Sequence, residues 1–302
     1  MKEYNPSIEI FSEDLFREHV VSQHSNLKLT TVQGEGSCFS LLTQHKGIFK
    51  YIWNLPFGLY HPEQDKNKLE KLLSALAKLR SSQKVINAGP LSGINKSEAS
   101  GLARKYGYNL KIGRCHVINT QFDIDHIFEG FNSTRKKHIR RYQKAGEVKV
   151  FKTKEPIYFS RYFALYEDSV ERWGTKTAYE KKFLERLHEV PGIYIWVAEK
   201  EGEVLSAMIC IYSDNTVFDW LAASIINQDV KKLYAAAAVQ FEVIKDAAER
   251  GLKQVNMGAS KDLEGVSDFK DSWGAEEHET YTFVKKSGIF ALLKKIRELI
   301  RK

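Results

Sequence analysis

The chain has 302 residues, 43% of them hydrophobic and 28% charged, which suits a folded protein of two ordinary domains and excludes a disordered chain. Against 38 Asp and Glu stand 46 Lys and Arg; the resulting net charge of +8 favours polyanionic or phosphorylated partners. Cys38, Cys115 and Cys210 lie far apart and outside metal-ligand spacing, so a reducing cytoplasmic compartment is expected, with no disulfide framework and no bound metal.

Residues 1–15 mix Lys2, Glu3, Glu9, Glu13 and Asp14 with scattered apolar side chains, unlike a signal peptide, and no run approaches the roughly 18 apolar residues of a spanning helix. A soluble protein is expected. Residues 37–44 and 47–55 read as paired strands, followed by a turn at Pro56-Phe57-Gly58. Leu69, Leu72, Leu73, Leu76 and Leu79 then form one apolar helical stripe, and a short strand, 85–87, closes in Ala88-Gly89-Pro90.

The second half repeats this order. Residues 194–199 and 204–212 predict a hairpin around Glu201-Gly202, and 217–222 a third strand. One long helix over 231–250 ends at Gly251, and Val255-Asn256-Met257-Gly258 mirrors Val85-Ile86-Asn87-Ala88-Gly89. Trp53 precedes Asn87 by nearly the same separation as Trp220 precedes Asn256. In each half a helix joins two strands, and such a crossover returns the chain parallel to itself.

Between the halves, Asn132 and Ser133 are N-cap candidates for a basic helix reaching Lys144, and two further helices read at 158–166 and 179–188. A domain boundary is placed near residue 130. Residues 289–302 predict an amphipathic helix whose apolar side carries Phe290, Leu293, Ile296 and Ile300; it docks on its own protein or rests peripherally on an anionic membrane. The fold class is therefore α/β in the mixed α+β sense: two tandem units over 1–130 and 131–288, each a mixed, mostly antiparallel sheet flanked by helices, and a terminal helix over 289–302.

Three stretches carry a family likeness: Ser133 to Arg141, Arg250-Gly251 through Gly258, and Phe269-Lys270 with Trp273-Gly274. They resemble the FemAB-like branch of the acetyltransferase (GNAT) superfamily, the last being similar to its Phe-Lys-x-x-Phe-Gly signature. Leu55-Pro56-Phe57-Gly58 and Tyr60 extend the likeness into the first half. The resemblance implies tandem GNAT-like domains and transfer of an acyl or aminoacyl group to an amine, often in cell-wall or envelope-polysaccharide assembly. One stretch departs from it. Coenzyme A-dependent members open the long helix with a glycine-rich turn that holds the diphosphate, whereas residues 226–234 here contain no glycine and include Asp229. The donor is left open between acyl-CoA and aminoacyl-tRNA, with no cofactor permanently bound.

On a helix, Lys137, Arg140, Arg141 and Lys144 share one face beside Arg135, a pattern that clamps phosphates or stands as a solvated charged face. Lys231 and Lys232 are the candidate donor contacts. The resemblance assigns Lys270 to the donor or the developing oxyanion, in a loop beside Phe269. Asp219, alternating with Phe218 and Trp220 on a strand, is a candidate base or a structurally paired acid, and Tyr234 a candidate proton donor to the leaving group. Trp173 and Asp262 complete the substrate-binding candidates. No Gly-x-Ser-x-Gly elbow or phosphate loop supports a hydrolase or a nucleotide-triphosphatase. The reading is acyl or aminoacyl transfer to an amine of a phosphorylated or nucleotide-linked envelope precursor, with tRNA a further partner. Its alternatives are an acetyl-CoA-dependent N-acetyltransferase and a non-catalytic polyanion-binding protein of the same fold.

Overall fold

The computed structural model describes residues 13–23, 27–34, 37–54, 66–89, 94–172, 174, 179–259, 264–288 and 290. The elements run α1 (Glu13–Gln23), β1 (Leu27–Gly34), β2 (Ser37–Lys46), β3 (Phe49–Trp53), α2 (Lys66–Ala77), β4 (Gln83–Ala88), α3 (Lys96–Tyr106), β5 (Asn109–Asn119), α4 (Ile124–Glu129) and α5 (Ser133–Ala145). They continue with β6 (Lys149–Thr153), α6 (Pro156–Arg172), α7 (Lys181–Glu185), β7 (Ile193–Lys200), β8 (Glu203–Tyr212), β9 (Thr216–Ser224), α8 (Gln228–Leu233), α9 (Ala235–Glu249), β10 (Gln254–Ala259), α10 (Glu264–Asp271) and β11 (Glu276–Lys286).

Two compact units emerge, one from the described residues of 13–114 and 279–302, the other from those of 115–278. In the first, here the N-terminal unit, the strand order is β1-β2-β3-β4-β11, antiparallel except for the parallel pair β3/β4. Leu69, Leu72, Leu73 and Leu76 of α2 bury against Ile52, Ile86 and Phe283, so the leucine stripe does face a sheet. At α3, Asn95 caps Glu98 N–H while the Glu98 carboxylate accepts the Asn95 N–H, a reciprocal box that fixes the helix start. Phe290 packs edge-on against Phe49 and Tyr51. The rest of the terminal segment, 289 and 291–302, lies outside the described residues, as does the turn at 56–58 with Tyr60.

The C-terminal unit orders its strands β5-β10-β9-β8-β7-β6, antiparallel except for the parallel pair β10/β9. Both parallel pairs expected from the repeated spacing are present, each closed over by crossover helices. The apolar face of α9 packs Val239, Phe241, Val243 and Ile244 onto Tyr194, Met208, Cys210, Val217 and Val255.

Three local readings change. The expected long helix is broken at Tyr234, whose backbone adopts φ 55°, ψ 29°, so α8 and α9 replace it. Periodicity ran through this point because Leu233 and Tyr234 keep the apolar rhythm. Lys270 lies on α10, not in a loop; Gly265 and Asp268 dilute the helical signal that Phe269 and Trp273 supply. The helix expected over 179–188 shrinks to α7 and a 3-10 turn, Arg186–Glu189.

Candidate active site

The reaction centre proposed for this chain is set up by the way β9 and β10 part. Their parallel ladder holds three pairs, ending at Phe218 opposite Asn256, although β9 runs on to Ser224 and β10 to Ala259. On the other edge of β9, Ile209 and Cys210 of β8 face Leu221 and Asp219, making Trp220 the extra residue of a β-bulge. The bulge re-aims the backbone where the two strands diverge. Beyond its last pair, β10 also breaks register with β5: Asn256 Oδ1 accepts the Gly258 N–H (2.9 Å), and Gly258 takes φ +71°, a conformation natural only to glycine.

Lys270 reaches into this gap from α10. Its Nζ donates to the carbonyls of Gly258 (2.8 Å) and Ala259 (3.0 Å), and the residue is 6% exposed. Burial pulls its basicity below the usual lysine range, while the nearby Asp219 and Cys115 push it back up. Asp219, half-buried on β9, is raised to about 7 by desolvation against the opposing pull of Lys270 and of the Gln240 carboxamide. Gln240 approaches Asp219 without closing a well-formed hydrogen bond; among the described residues neither its amide nitrogen nor its oxygen has a bonded partner, at 1% exposure. Cys115 is fully buried beside them, its thiol pushed up to about 12 by burial. A carboxylate, an ammonium and an unsatisfied carboxamide thus share a desolvated gap, an arrangement able to hold a polar carbonyl group and exchange a proton.

Tyr234 caps α9 without a side-chain capping bond, in a left-handed conformation that costs a non-glycine residue about 1 kcal/mol. Its ring stacks on His138 (4.4 Å) and its hydroxyl accepts from Arg141 Nη1 (2.6 Å), so its own proton remains available to donate. The stretch without glycine is therefore occupied by α8 and this tyrosine. Lys231 and Lys232 are exposed on α8, Lys232 paired with Asp229 (3.3 Å).

On α5 the basic residues separate by direction. Arg135 lies 4.5 Å over the Phe269 ring and 5.4 Å over that of Trp273, and Lys136 pairs with Glu129 (2.8 Å). Lys137, Arg140, Arg141 and Lys144 are exposed, and among the described residues none forms an ion pair. Trp173 and Asp262 lie outside the described residues. The structure brings Asp219 and Lys270 together, Arg135 with Phe269, and Arg141 with Tyr234. Sequence reasoning missed Gln240 and Cys115; Gln240 is signalled as the lone carboxamide within the apolar run Ala235 to Ile244.

Residues 131–271 match the model of the acetyltransferase (GNAT) domain family. This segment, just under half of the chain, is similar to a GNAT acetyltransferase domain. That family is one of acyltransferases, and its co-substrate is acyl-CoA. No curated protein sequence matches the chain. Among solved structures, that of FemX superposes with a TM-score of 0.71 at 13% identity, covering 91% of this chain and 92% of that one. A conserved protein of unknown function from Bacteroides thetaiotaomicron VPI-5482 gives 0.59 at 13% identity, covering 94% and 95%. L-PGS from Bacillus licheniformis gives 0.56 at 12% identity, covering 98% and 99%. At such identities what is shared is the fold, the mixed α/β tandem arrangement expected from the FemAB-like resemblance. Among the described residues no helix is long and apolar enough to cross a membrane, and no cluster of His, Cys, Asp or Glu is placed to hold a metal ion.

Proposed function

We propose that the protein transfers an aminoacyl group from the ester of a charged tRNA to an amine of a phosphorylated or nucleotide-linked cell-envelope precursor. The observation that carries this reading is the gap between β9 and β10, holding Lys270 and Asp219, next to a helix start where α8 and Tyr234 stand in place of a glycine turn. A diphosphate needs bare backbone amides there, and Tyr234 packed on His138 and Arg141 covers that approach. The FemAB-like resemblance and the FemX-like fold support the same class.

In this reading the donor carbonyl lies in the gap and the acceptor amine attacks it. The ammonium of Lys270 and the backbone of β9 around the bulge stabilise the negative charge that develops on the carbonyl oxygen. Asp219 accepts the amine proton, and a group that titrates near neutral pH suits that role. The C–O bond to the tRNA then breaks, and the leaving oxygen takes a proton from Tyr234 or from the acid formed at Asp219. Lys137, Arg140 and Arg141 hold the phosphates of a substrate.

The test offers the purified protein acetyl-CoA or a pool of aminoacyl-tRNAs, each with a nucleotide-linked muropeptide as acceptor, and reads products by mass spectrometry. Aminoacyl addition from charged tRNA alone is the expected result. Acetylation from acetyl-CoA instead would overturn the donor assignment in favour of an ordinary N-acetyltransferase.

A further inference from the structure

The interior end of α5 is engaged differently from its exposed row. The guanidinium of Arg135 packs on the rings of Phe269 and Trp273, and its Nε donates to Ser272 Oγ (2.7 Å). Ser272 Oγ in turn donates to the Phe269 carbonyl (2.5 Å), and the Ser272 carbonyl accepts the Asn132 N–H (3.0 Å). Phe131 meets the Trp273 ring edge-on at 5.1 Å. Gly274, at φ +66°, sits where a Cβ would lie 2.8 Å from the Gly130 carbonyl oxygen, so no larger residue fits. Gly130, Phe131, Asn132 and Arg135 thus hold Phe269, Ser272, Trp273 and Gly274. On another side of α10, His116 Nε2 lies 3.2 Å from Asp271 Oδ1 and 3.3 Å from Ser267 Oγ.

Lys270 lies between these two attachments. An eight-residue helix has little stability of its own, so the place of its side chains is decided by what holds it. We infer that Arg135 is a positioning residue for Lys270: it fixes α10 by packing on Phe269 and Trp273 and bonding Ser272, and does not bind substrate phosphate. Its Nε is already given to a hydroxyl and its plane lies against two rings, so the group is held towards α10, and desolvation depresses the basicity of this guanidinium. The same helix then has two roles, with Lys137, Arg140, Lys144 and the N–H groups that Arg141 does not give to Tyr234 left for the polyanion. Around Lys270, Phe269 and Trp273 form the seat of Arg135, and Gly274 allows the close approach to Gly130. The inference rests on Lys270 acting as proposed above.

Its test needs no substrate. Pulse acetylation with sulfo-NHS-acetate, followed by mass spectrometry of the Lys270 peptide, reads how often the buried amine becomes accessible; exposed Lys231 and Lys232 serve as internal references. Arg135→Leu is expected to speed labelling of Lys270 about 10- to 100-fold relative to those references. Arg135→Lys, which keeps the charge but loses the planar fork, should give an intermediate value. If Arg135→Leu does not fold, Ser272→Ala removes one bond of the clamp and should raise labelling a few-fold. Unchanged labelling in a folded variant overturns the inference. With an active substrate pair, Arg135→Lys should lower kcat and leave the acceptor KM unchanged, and a raised, salt-dependent KM with kcat intact would instead make Arg135 a phosphate ligand. Absent turnover in the unsubstituted protein counts against the transfer reaction, while the labelling still decides the clamp.

Discussion

Each unit contains one parallel strand pair ending near an asparagine, and the two pairs end in opposite ways. In the N-terminal unit β3 pairs with β4 through Trp53 opposite Val85, and the next residue, Asn54, continues the ladder with its side chain. Asn54 Nδ2 donates to the Asn87 carbonyl (2.8 Å), and Asn54 Oδ1 accepts the Asn87 N–H (3.0 Å), at 1% exposure. The pair is closed. In the C-terminal unit Asn256 turns its carboxamide back on Gly258, the ladder stops, and Lys270 occupies the carbonyls left at the end of β10. A backbone that satisfies itself has nothing to offer a substrate, whereas one satisfied by a movable ammonium does. One fold repeated in a chain can thus divide its labour by a few polar side chains at one strand end.

The comparison is broken most severely at the ammonium. Lys270→Ala should lower kcat/KM about 10²- to 10³-fold in the transfer assay, the usual scale for removing one oxyanion donor, with the acceptor KM little changed. If turnover survives intact, the open gap is not the reaction centre. Asp219→Asn should cost about 100-fold and abolish the acid limb of the pH–rate profile, which in the unsubstituted protein falls below about pH 7 as the carboxylate protonates. Thermal melts carry a second signature. Because the folded state raises the affinity of Asp219 for a proton, its contribution to stability is full below about pH 4 and is lost as pH rises through about 7. Asp219→Asn should therefore melt higher than the unsubstituted protein at pH 8, by several degrees, and show little such gain near pH 4.

The closed pair should respond in the opposite sense. Asn54→Ala leaves the buried N–H and carbonyl of Asn87 without their partners and is expected to cost about 2–3 kcal/mol in urea unfolding, with kcat and KM unchanged. A fall in kcat comparable to that at Lys270 would assign the N-terminal unit a part in the chemistry.

Much of this contrast was legible before the structure, and its decisive part was not. The aromatic strand, helix and Asn-terminated strand of each half are local patterns, so both parallel pairs and the leucine stripe of α2 follow from periodicity. What closes one pair and opens the other is a set of contacts distant in sequence: Asn54 with Asn87, Lys270 with Gly258, and β11 returning to β4. No spacing rule reports these. Tyr234 shows a different limit, since a left-handed tyrosine contradicts its own propensity and is held there by His138 and Arg141. Arg135 and Arg141 read as one basic cluster in sequence, yet helical rotation sends the first to the rings of Phe269 and Trp273 and the second to Tyr234.

The smallest expected effect concerns the charges around each unit. On the N-terminal unit two helix lysines are matched by acids, Lys66 with Glu98 and Lys105 with Glu70, each at 2.6 Å. Such exposed pairs add little stability, but they cancel the local field. The row on α5 forms no ion pair among the described residues, so most of its field reaches a phosphorylated ligand. Lys137→Ala and Lys144→Ala should each weaken tRNA binding a few-fold and reduce the slope of log Kd against log salt by about 0.7–0.9 for each phosphate no longer neutralised. Lys66→Ala should leave both unchanged, because its charge is already spent on Glu98. Equal salt slopes for the α5 variants and for Lys66→Ala would mean that net charge alone draws the polyanion, and that the two units do not differ in this respect.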